Sequence, residues 1–340
     1  NSAYRCGVCK GDIASNTDTK SVFFDSANSE IAEKSKNENI PILYRAIFSF
    51  SERSNAQKIV RFVRLPRTLA AILCGSSLSV SGAIVQTTLQ NPLGSPSVLG
   101  MNAGAALFVI ALSIFSASVV FLPLSAFLGA FLTLLAVLFM GKKAGGKLAL
   151  SRSSVLLSGI AANAFLSALS DALNALVPDT VYSRSVFRIG SLSGVQMEIV
   201  EAAGVVSIVA IFGAILFSPA LDILYLGDES ARTLGLNTQK TRSISLILAS
   251  ILCGSAVSVA GLISFVGLIV PHVVRLFAKK NSSAIFISSA ILGADLVLFC
   301  DLASRLVFAP YELPVGVPLS LLGGPFFFAL LVKRRNGDAK

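Results

Sequence analysis

Residues 205–216 read Val-Val-Ser-Ile-Val-Ala-Ile-Phe-Gly-Ala-Ile-Leu, without a charged side chain and without alternation between apolar and polar residues. A strand of a membrane barrel would alternate over about ten residues, so this pattern favours a helix. The surrounding apolar run extends over residues 199–218. A helix needs about 20 apolar residues to cross a hydrocarbon core of about 30 Å. The stretch therefore predicts a membrane-spanning helix.

Similar apolar runs recur between Leu69 and Val332. The chain is 54% hydrophobic and only 14% charged, whereas a soluble domain carries about 25% charged residues. Helices satisfy their own backbone hydrogen bonds in lipid, which favours an all-α polytopic membrane helix bundle. We predict nine spans, near residues 67–87, 99–117, 119–140, 154–176, 199–218, 241–263, 268–279, 283–308 and 317–333. Pro271 is predicted to start the short run near 268–279, because proline is tolerated in a first helical turn.

The formal net charge of +10 raises the question of a nucleic-acid partner. The basic residues, however, lie mostly in short loops between apolar runs, where the positive-inside rule places them. They form four groups: Lys142, Lys143, Lys147 and Arg152; Arg232, Lys240 and Arg242; Lys279 and Lys280; and Lys333, Arg334 and Arg335. Nine spans put all four groups on one face, which is predicted to be cytoplasmic. We therefore expect a multi-pass protein of a prokaryotic cytoplasmic membrane that does not bind nucleic acid.

The first part of the chain has a different character. Residues 1–58 are polar and contain no predicted span, so we expect an extracytoplasmic extension before a membrane domain over residues 59–335 and a cytoplasmic tail over residues 336–340. Cys6 and Cys9 form a single CxxC pair in this extension, which is compatible with a local disulfide, with redox activity or with an incidental pair.

An internal repeat links two distant runs. The segment Ile72–Gly82 matches Ile251–Gly261 at eight of eleven positions, and Pro92 aligns with Pro271 at the same offset. Small residues also recur wherever membrane helices pack closely, which is the alternative explanation. In the nine-span threading the two copies run in opposite directions, and inverted repeats of this kind are typical of transporters.

Several segments resemble the FecCD-type permeases of iron-siderophore, haem and vitamin B12 ABC importers, in the family's order over about residues 60–335. These segments are Arg64-Leu65-Pro66-Arg67, Gln90-Asn91-Pro92-Leu93-Gly94, the run from Leu226 to Gly235, the run from Gly261 to His272, Glu312-Leu313-Pro314-Val315-Gly316, and Gly323-Gly324-Pro325-Phe326-Phe327. The resemblance implies a ten-span subunit that forms a homodimer and associates with two ATP-binding subunits and an extracytoplasmic substrate-binding protein. The family's first span should precede about Ile42–Phe50, and residues 1–40 do not supply it.

The resemblance also implies a function, the import of a ferric siderophore, haem or cobalamin by alternating access. The chain contains no phosphate-binding loop of the G-x-x-x-x-G-K-[ST] kind, so ATP and Mg are expected to act in the partner ATPase, and no cofactor is expected on this chain. Two other classes of membrane protein are alternatives. A cation-coupled secondary transporter would need more ionisable residues deep in its spans, and an intramembrane enzyme would need a cluster of His, Glu and Asp residues, whereas the chain has one histidine.

Three arginines are predicted at outer loop ends, against the positive-inside bias: Arg64, Arg67 and Arg305. Phospholipid headgroup contacts or snorkelling would explain them, and Arg305 lies one turn from Asp301, with which it could pair. The resemblance implies instead that such arginines dock acidic residues of the binding protein.

Two further groups are predicted on the cytoplasmic side. The polar stretch Asp222–Leu236 places Asp228 and Glu229 where they suit a helix N-terminus. The resemblance implies that this stretch couples to the ATPase, with Asp222, Gly227, Asp228, Glu229, Arg232 and Gly235 as the candidate residues. It also places Ser151, Arg152 and Ser153 at a cytoplasmic gate, where the family has small hydroxyl residues, so Arg152 departs from the pattern. Four polar residues are predicted at or near membrane depth: Asp171, Asn174, Asp295 and Asp301.

Overall fold

The computed structural model describes residues 58–114, 121–144, 151–176, 187–277, 281–307 and 311–337. The chain divides into two units, residues 1–66 and residues 67–340, and the bundle described below is the second of these. The Cys6–Cys9 pair, the segment Ile42–Phe50 and nearly all of the predicted extension lie outside the described residues.

Apolar helices dominate the described residues. A five-residue π-helical segment, Val60–Arg64, comes first. The α-helices are α1 (Leu65–Leu89), α2 (Met101–Ile114), α3 (Leu122–Ala144), α4 (Arg152–Leu176), α5 (Met197–Tyr225), α6 (Asp228–Thr233), α7 (Thr238–Ala260), α8 (Val266–Phe277), α9 (Ser282–Leu306) and α10 (Gly316–Gly337). The prediction of an all-helical membrane protein is confirmed for this part of the chain.

Six of these helical segments are long and apolar enough to cross a membrane: Val60–Leu89, Pro123–Lys143, Arg152–Leu176, Met197–Tyr225, Thr238–Ala260 and Ser282–Leu306. Three shorter apolar helical segments, Met101–Ile114, Val266–Phe277 and Gly316–Ala329, fall in the other three predicted runs. The count of nine complete spans therefore stays a prediction.

Proline lies in the interior of three of the described helices, at Pro219, Pro271 and Pro325. Helix α5 continues to Tyr225 with Pro219 in its interior, seven residues beyond the predicted boundary at 218. Helix α8 begins at Val266, so the prediction that Pro271 starts it is wrong. Membrane helices tolerate proline because neighbouring groups satisfy the backbone atoms that it leaves unbonded.

The two copies of the repeat pack against each other, one in α1 and one in α7. The Cys74 Sγ donates to the Ala256 carbonyl at 3.5 Å, and the Ser81 Oγ donates to the Ala249 carbonyl at 2.6 Å. The residue numbers of the contacts rise from 74 to 81 along α1 and fall from 256 to 249 along α7. The two segments are therefore antiparallel, as the nine-span topology predicts. Their origin by duplication stays a prediction.

Glycines let α1 approach two further helices closely. A Cβ added at Gly82 would fall 1.8 Å from the carbonyl oxygen of Gly267 in α8. A Cβ at Gly75 would fall 2.2 Å from the carbonyl oxygen of Gly293 in α9. Helix α1 is therefore packed against α7, α8 and α9, and its two ends position the two polar clusters described next.

Candidate functional site

The first cluster, the Asp228 cluster, consists of Gln90, Arg152, Asp228 and Arg242. Arg242 Nη2 donates to Asp228 Oδ1 at 2.9 Å and to Oδ2 at 3.1 Å, and Arg152 Nη2 donates to Oδ1 at 2.9 Å. One carboxylate therefore binds two guanidinium groups from two different helices. Arg242, which the sequence interpretation placed in a loop, belongs to α7 and is only 1% exposed.

The local sequence explains why Asp228 is held at this point. Gly227 precedes α6 with a φ of 112°, and Gly235 follows it with a φ of 81°, a region of backbone conformation that favours glycine. Asp228 and Glu229 occupy the first turn of α6, as predicted, where a negative charge suits the helix dipole. Burial acts to raise the pKa of Asp228, but the hydrogen bonds from Arg152 and Arg242 outweigh it and hold that pKa below its ordinary value.

Gln90 extends the cluster to the end of α5. Its Nε2 donates to the carbonyl oxygens of Leu224 and Tyr225, each at 2.8 Å. The last carbonyls of a helix lack partners within the helix, so this side chain caps α5. Arg152 Nη1 donates to the Gln90 Oε1 in turn. The positive φ of Gln90, 47°, accompanies this arrangement just after α1 ends.

The other predicted coupling residues have different surroundings. Asp222 lies inside α5, and its Oδ1 accepts a hydrogen bond from the backbone N–H of Ser282 at 2.9 Å, which caps the start of α9. Glu229, Arg232 and Gly235 are exposed on and beside α6. Two large apolar side chains beside this helix are exposed as well, at 64% for Leu226 and 63% for Leu234.

The three predicted gate residues are not brought together in one role. Ser151 accepts a hydrogen bond from the Ser154 backbone N–H at 3.0 Å and thereby caps α4. Ser153 is exposed, whereas Arg152 is part of the Asp228 cluster.

The second cluster, the Asp301 cluster, consists of Arg67, Ser193, Asp301, Arg305 and Glu312. Arg67 Nε donates to Asp301 Oδ1 at 2.9 Å, and its Nη1 donates to Glu312 Oε2 at 2.7 Å. Arg305 Nη2 lies 3.0 Å from Asp301 Oδ2. Ser193 Oγ donates to Glu312 Oε2 at 3.2 Å. The cluster joins the start of α1, the end of α9 and the segments before α5 and α10.

The predicted docking arginines differ strongly in exposure. Arg64 is exposed in the π-helical segment, whereas Arg67 is only 7% exposed and binds two carboxylates of its own chain. Arg305 forms the pair with Asp301 that was the alternative prediction for it, and about a third of its side chain is exposed.

Glu312 has no predicted role, although it begins the segment Glu312-Leu313-Pro314-Val315-Gly316 that resembles the family. Burial acts to raise the pKa of Glu312, but Arg67 outweighs that effect and holds the pKa below its ordinary value.

The remaining singled-out residues lie apart from both clusters. Asp171 is exposed and pairs with Arg188 at 3.0 Å. The His272 ring packs edge-on against Phe326, with 5.8 Å between ring centroids. Among the described residues, no three His, Cys, Asp or Glu side chains form a group that could hold a metal ion.

The clusters give the bundle two distinct ends. Arg152 and Arg242 come from two different predicted basic groups and reach the same carboxylate, so these two groups lie at one end. Arg67 near the start of α1 and Gln90 just after its end belong to different clusters. The positive-inside prediction for these two groups is therefore consistent with the fold, and it places the Asp228 cluster at the predicted cytoplasmic end.

Comparisons with known proteins agree on one family. The FecCD transport family matches residues 34–333 of the chain, which extends the resemblance toward the N-terminus from about residue 60. The chain is 38% identical over 294 residues to the Fe(3+)-citrate import system permease protein YfmD of Bacillus subtilis, covering 83% of this chain and 84% of the relative. It is 35% identical over 304 residues to the hemin transport system permease protein HmuU of Yersinia pestis, covering 87% and 90%.

A solved structure supports the same fold. It is an inward-facing conformation of a metal-chelate type ABC transporter, with a TM-score of 0.75 and 25% sequence identity. The similarity covers 86% of this chain and 96% of that one.

Proposed function

Because the chain belongs to the FecCD transport family, we propose that it is the permease subunit of an ABC importer that moves a ferric siderophore, or haem or cobalamin, across the cytoplasmic membrane of a prokaryote. The observation that carries the proposal is the extent of the family match, which runs through residues 34–333 and so includes α1 to α9 and most of α10. The relatives import ferric citrate and hemin by name, which supports an iron chelate as the transported class.

The proposed assembly contains two copies of this chain, two ATP-binding subunits and one extracytoplasmic binding protein. The sequence lacks a phosphate-binding loop, so the free energy of transport would come from ATP and Mg in the partner subunits. Alternating access of the paired bundles, with about nine spans in this chain and an inverted repeat, would carry the chelate across.

We assign the contact with the ATPase to α6 and its flanks. The surface there combines exposed charges, Glu229 and Arg232, with exposed apolar side chains, Leu226 and Leu234. An apolar centre with a charged rim is the usual composition of a protein interface. Asp222 and Asp228 would contribute indirectly, because their carboxylates bind residues of this chain. Gly227 and Gly235 would let the chain turn into and out of α6.

We assign the cytoplasmic gate and the binding-protein docking surface from the exposure of their residues and from their ends of the bundle. Ser151, Arg152 and Ser153 begin α4 at the proposed cytoplasmic end, where a second copy would face them. Arg64 and Arg305 present exposed or partly exposed guanidinium groups for carboxylates of the binding protein. Arg67 would act with them by holding Glu312, since its own guanidinium is buried.

The test is uptake into proteoliposomes that contain this permease with its ATPase and an external binding protein loaded with radioactive ferric siderophore. We expect uptake only when ATP and Mg are inside with the ATPase. The control is the same permease without the ATPase, under an imposed proton or sodium gradient. Uptake in that control would contradict the proposal and favour a secondary transporter.

A further inference from the structure

We propose that Arg152 is a positioning residue that ties the first turn of α4 to the short helix α6 through the carboxylate of Asp228. A displacement of α6 would then move α4 through this side-chain link. The inference deepens the proposed function, because it rests on α6 as the surface that the ATPase moves, and its first test does not depend on transport.

The two arginines on Asp228 are bound differently. Arg242 contacts both carboxylate oxygens and its side chain is 2% exposed, so it is fixed to Asp228 from within the bundle. Arg152 contacts one oxygen, and 27% of its side chain is exposed. A partly exposed, single contact is weaker than a buried double contact. The Arg152 contact is therefore the one that opens first.

Opening that contact leaves no buried charge without a partner. Asp228 keeps Arg242, and Arg152 can turn its guanidinium toward water because its side chain is already partly exposed. Stranding one member of a buried pair is costly, whereas this cluster holds two guanidinium groups for one carboxylate and avoids that cost. The closed link can therefore transmit a displacement of α6 to α4, while its loss leaves no buried charge without a partner.

The backbone between α5 and α6 does not fix α6 by itself. Only Leu226 and Gly227 join the two helices, and Gly227 has a φ of 112° with no atom within 4 Å of an added Cβ. Two backbone hydrogen bonds to α5 carbonyls hold this connection, and side-chain contacts position α6 further. Arg152 supplies two of them, to Asp228 in α6 and to Gln90, which caps the last carbonyls of α5. These contacts form a closed ring around the Leu226–Gly227 connection.

This ring is a property of the present sequence. The resemblance implies small hydroxyl residues at positions 151–153, and a serine or threonine side chain at position 152 would be too short to span from α4 to both Gln90 and Asp228. Arginine has the length and the planar fork of donors that such a double contact needs.

The first test measures the distance between α4 and α6 in the full chain in lipid nanodiscs. Nitroxide labels would be placed through Ser153→Cys and Ser230→Cys, both exposed positions. Cys6 and Cys9 would be replaced by serine, while Cys74, Cys253 and Cys300 are buried. Dilution with unlabelled chain isolates the distance within one copy. We expect Arg152→Gln to broaden the distance distribution, and Arg152→Lys to do so less.

Arg232→Gln is the matched control, since it removes the same charge from α6 outside the ring. An unchanged distribution in Arg152→Gln would overturn the inference, whatever the chain transports. An equal broadening in Arg232→Gln would also overturn it, because general charge loss would then explain the effect.

The second test uses the complete importer. We expect Arg152→Gln to raise the ATP hydrolysed per chelate transported by about two- to fivefold, the range of a partly exposed ion pair, with the affinity for the ATPase unchanged. An unaltered ratio would overturn the transmission role of Arg152. If no ATP-driven uptake exists at all while the distance still responds to Arg152→Gln, the proposed function fails and the structural link stands.

Discussion

The Asp228 cluster and the Asp301 cluster stand at opposite ends of the bundle and are built on different charge ratios. The Asp301 cluster sets two arginines against two carboxylates, and Asp301 itself is 2% exposed. The Asp228 cluster sets two arginines against one carboxylate that is 33% exposed. The first has equal numbers of both charges around a nearly buried Arg67–Asp301 pair, whereas the second has one more guanidinium group than carboxylate groups.

The difference teaches how one chain can fix one end and release the other. In the balanced cluster, the central pair of Arg67 and Asp301 is nearly buried on both sides, so removing either member leaves the other charge in a buried place. In the cluster with a spare arginine, one contact can be given up while the carboxylate stays paired. We therefore expect substitutions in the Asp301 cluster to act on stability, and substitutions in the Asp228 cluster to act mainly on coupling.

The largest effect is expected from Asp301→Ala. It removes the carboxylate that binds both Arg67 and Arg305. The buried Arg67 then keeps only one of its two carboxylate partners, Glu312. Breaking a buried pair from one side costs about 3–5 kcal/mol. Thermal unfolding of the detergent-solubilised protein should show a markedly lower midpoint.

The matched control is Asp171→Ala, which removes an ion pair between side chains that are 60% and 47% exposed. Its cost should be about 0–1 kcal/mol. Equal losses in the free energy of unfolding would show that the Asp301 cluster stabilises the fold no more than an exposed ion pair does.

A smaller effect on stability is expected within the Asp228 cluster. Arg242→Gln should lower the free energy of unfolding by about 1.5–3 kcal/mol, the range for hydrogen bonds to a charged group. Arg152→Gln should cost less, because its contact is single and partly exposed. The free energies of unfolding of both variants would be measured in the same detergent. A larger loss for Arg152→Gln than for Arg242→Gln would contradict the distinction between a fixed and a releasable arginine.

A third effect concerns docking of the binding protein. Arg305→Glu should weaken the affinity more than Arg305→Ala, since the glutamate adds repulsion to the loss of attraction. For a partly exposed side chain the loss with alanine should be up to about fivefold. Affinity for the reconstituted transporter would be measured across a salt series, and Arg64→Glu would be measured in the same way, together with the thermal midpoint of each variant.

If the affinity stays unaltered and does not depend on salt, these arginines belong to lipid headgroups or to internal pairs instead. If Arg64→Glu weakens the affinity and Arg305→Glu does not, Arg305 is assigned only to its ion pair with Asp301.

The smallest effect is expected from pH. The pKa of Asp228 is held below its ordinary value of 3.8, so its ion pairs stabilise the fold above that value and are lost only as pH falls through the lowered pKa. The distance between labels on α4 and α6 should therefore stay constant from about pH 8 to about pH 5. A transition between about pH 6 and 7 would show that another group controls the ring.

Much of the fold could be predicted from sequence, because apolar runs and loop charges report directly on a lipid environment. Among the described residues, six of the nine predicted runs overlap helices long enough to cross a membrane and three overlap shorter apolar helices, and the contacting segments of α1 and α7 are antiparallel. One error arose at Pro271, where proline was treated as the start of a helix. In a packed membrane bundle the neighbouring helices override that local rule, and a single sequence does not reveal neighbours.

The clusters were harder to predict, because their members are far apart in sequence. Asp228 was expected at a helix N-terminus from its local pattern, but its partner Arg152 is 76 positions away. Arg67 and Glu312 are separated by 245 positions. Arg242 did offer one signal, since it lies only five residues after the capping residue Asn237, inside the first turns of α7. Such a charge is either exposed or paired, and the sequence alone did not decide between them.

Helix α5 connects the two clusters mechanically. It has 29 residues, so it is a rod of about 44 Å. Ser193, four residues before it starts, binds Glu312, and the carbonyls at its end are capped by Gln90. A tilt of about 5° about one end would displace the other by roughly 4 Å, which is less than the pitch of about 5.4 Å. A helix connected to both clusters in this way would carry a tilt at one end of the bundle to the other end. Pro219, six residues before its far end, marks where that helix would flex.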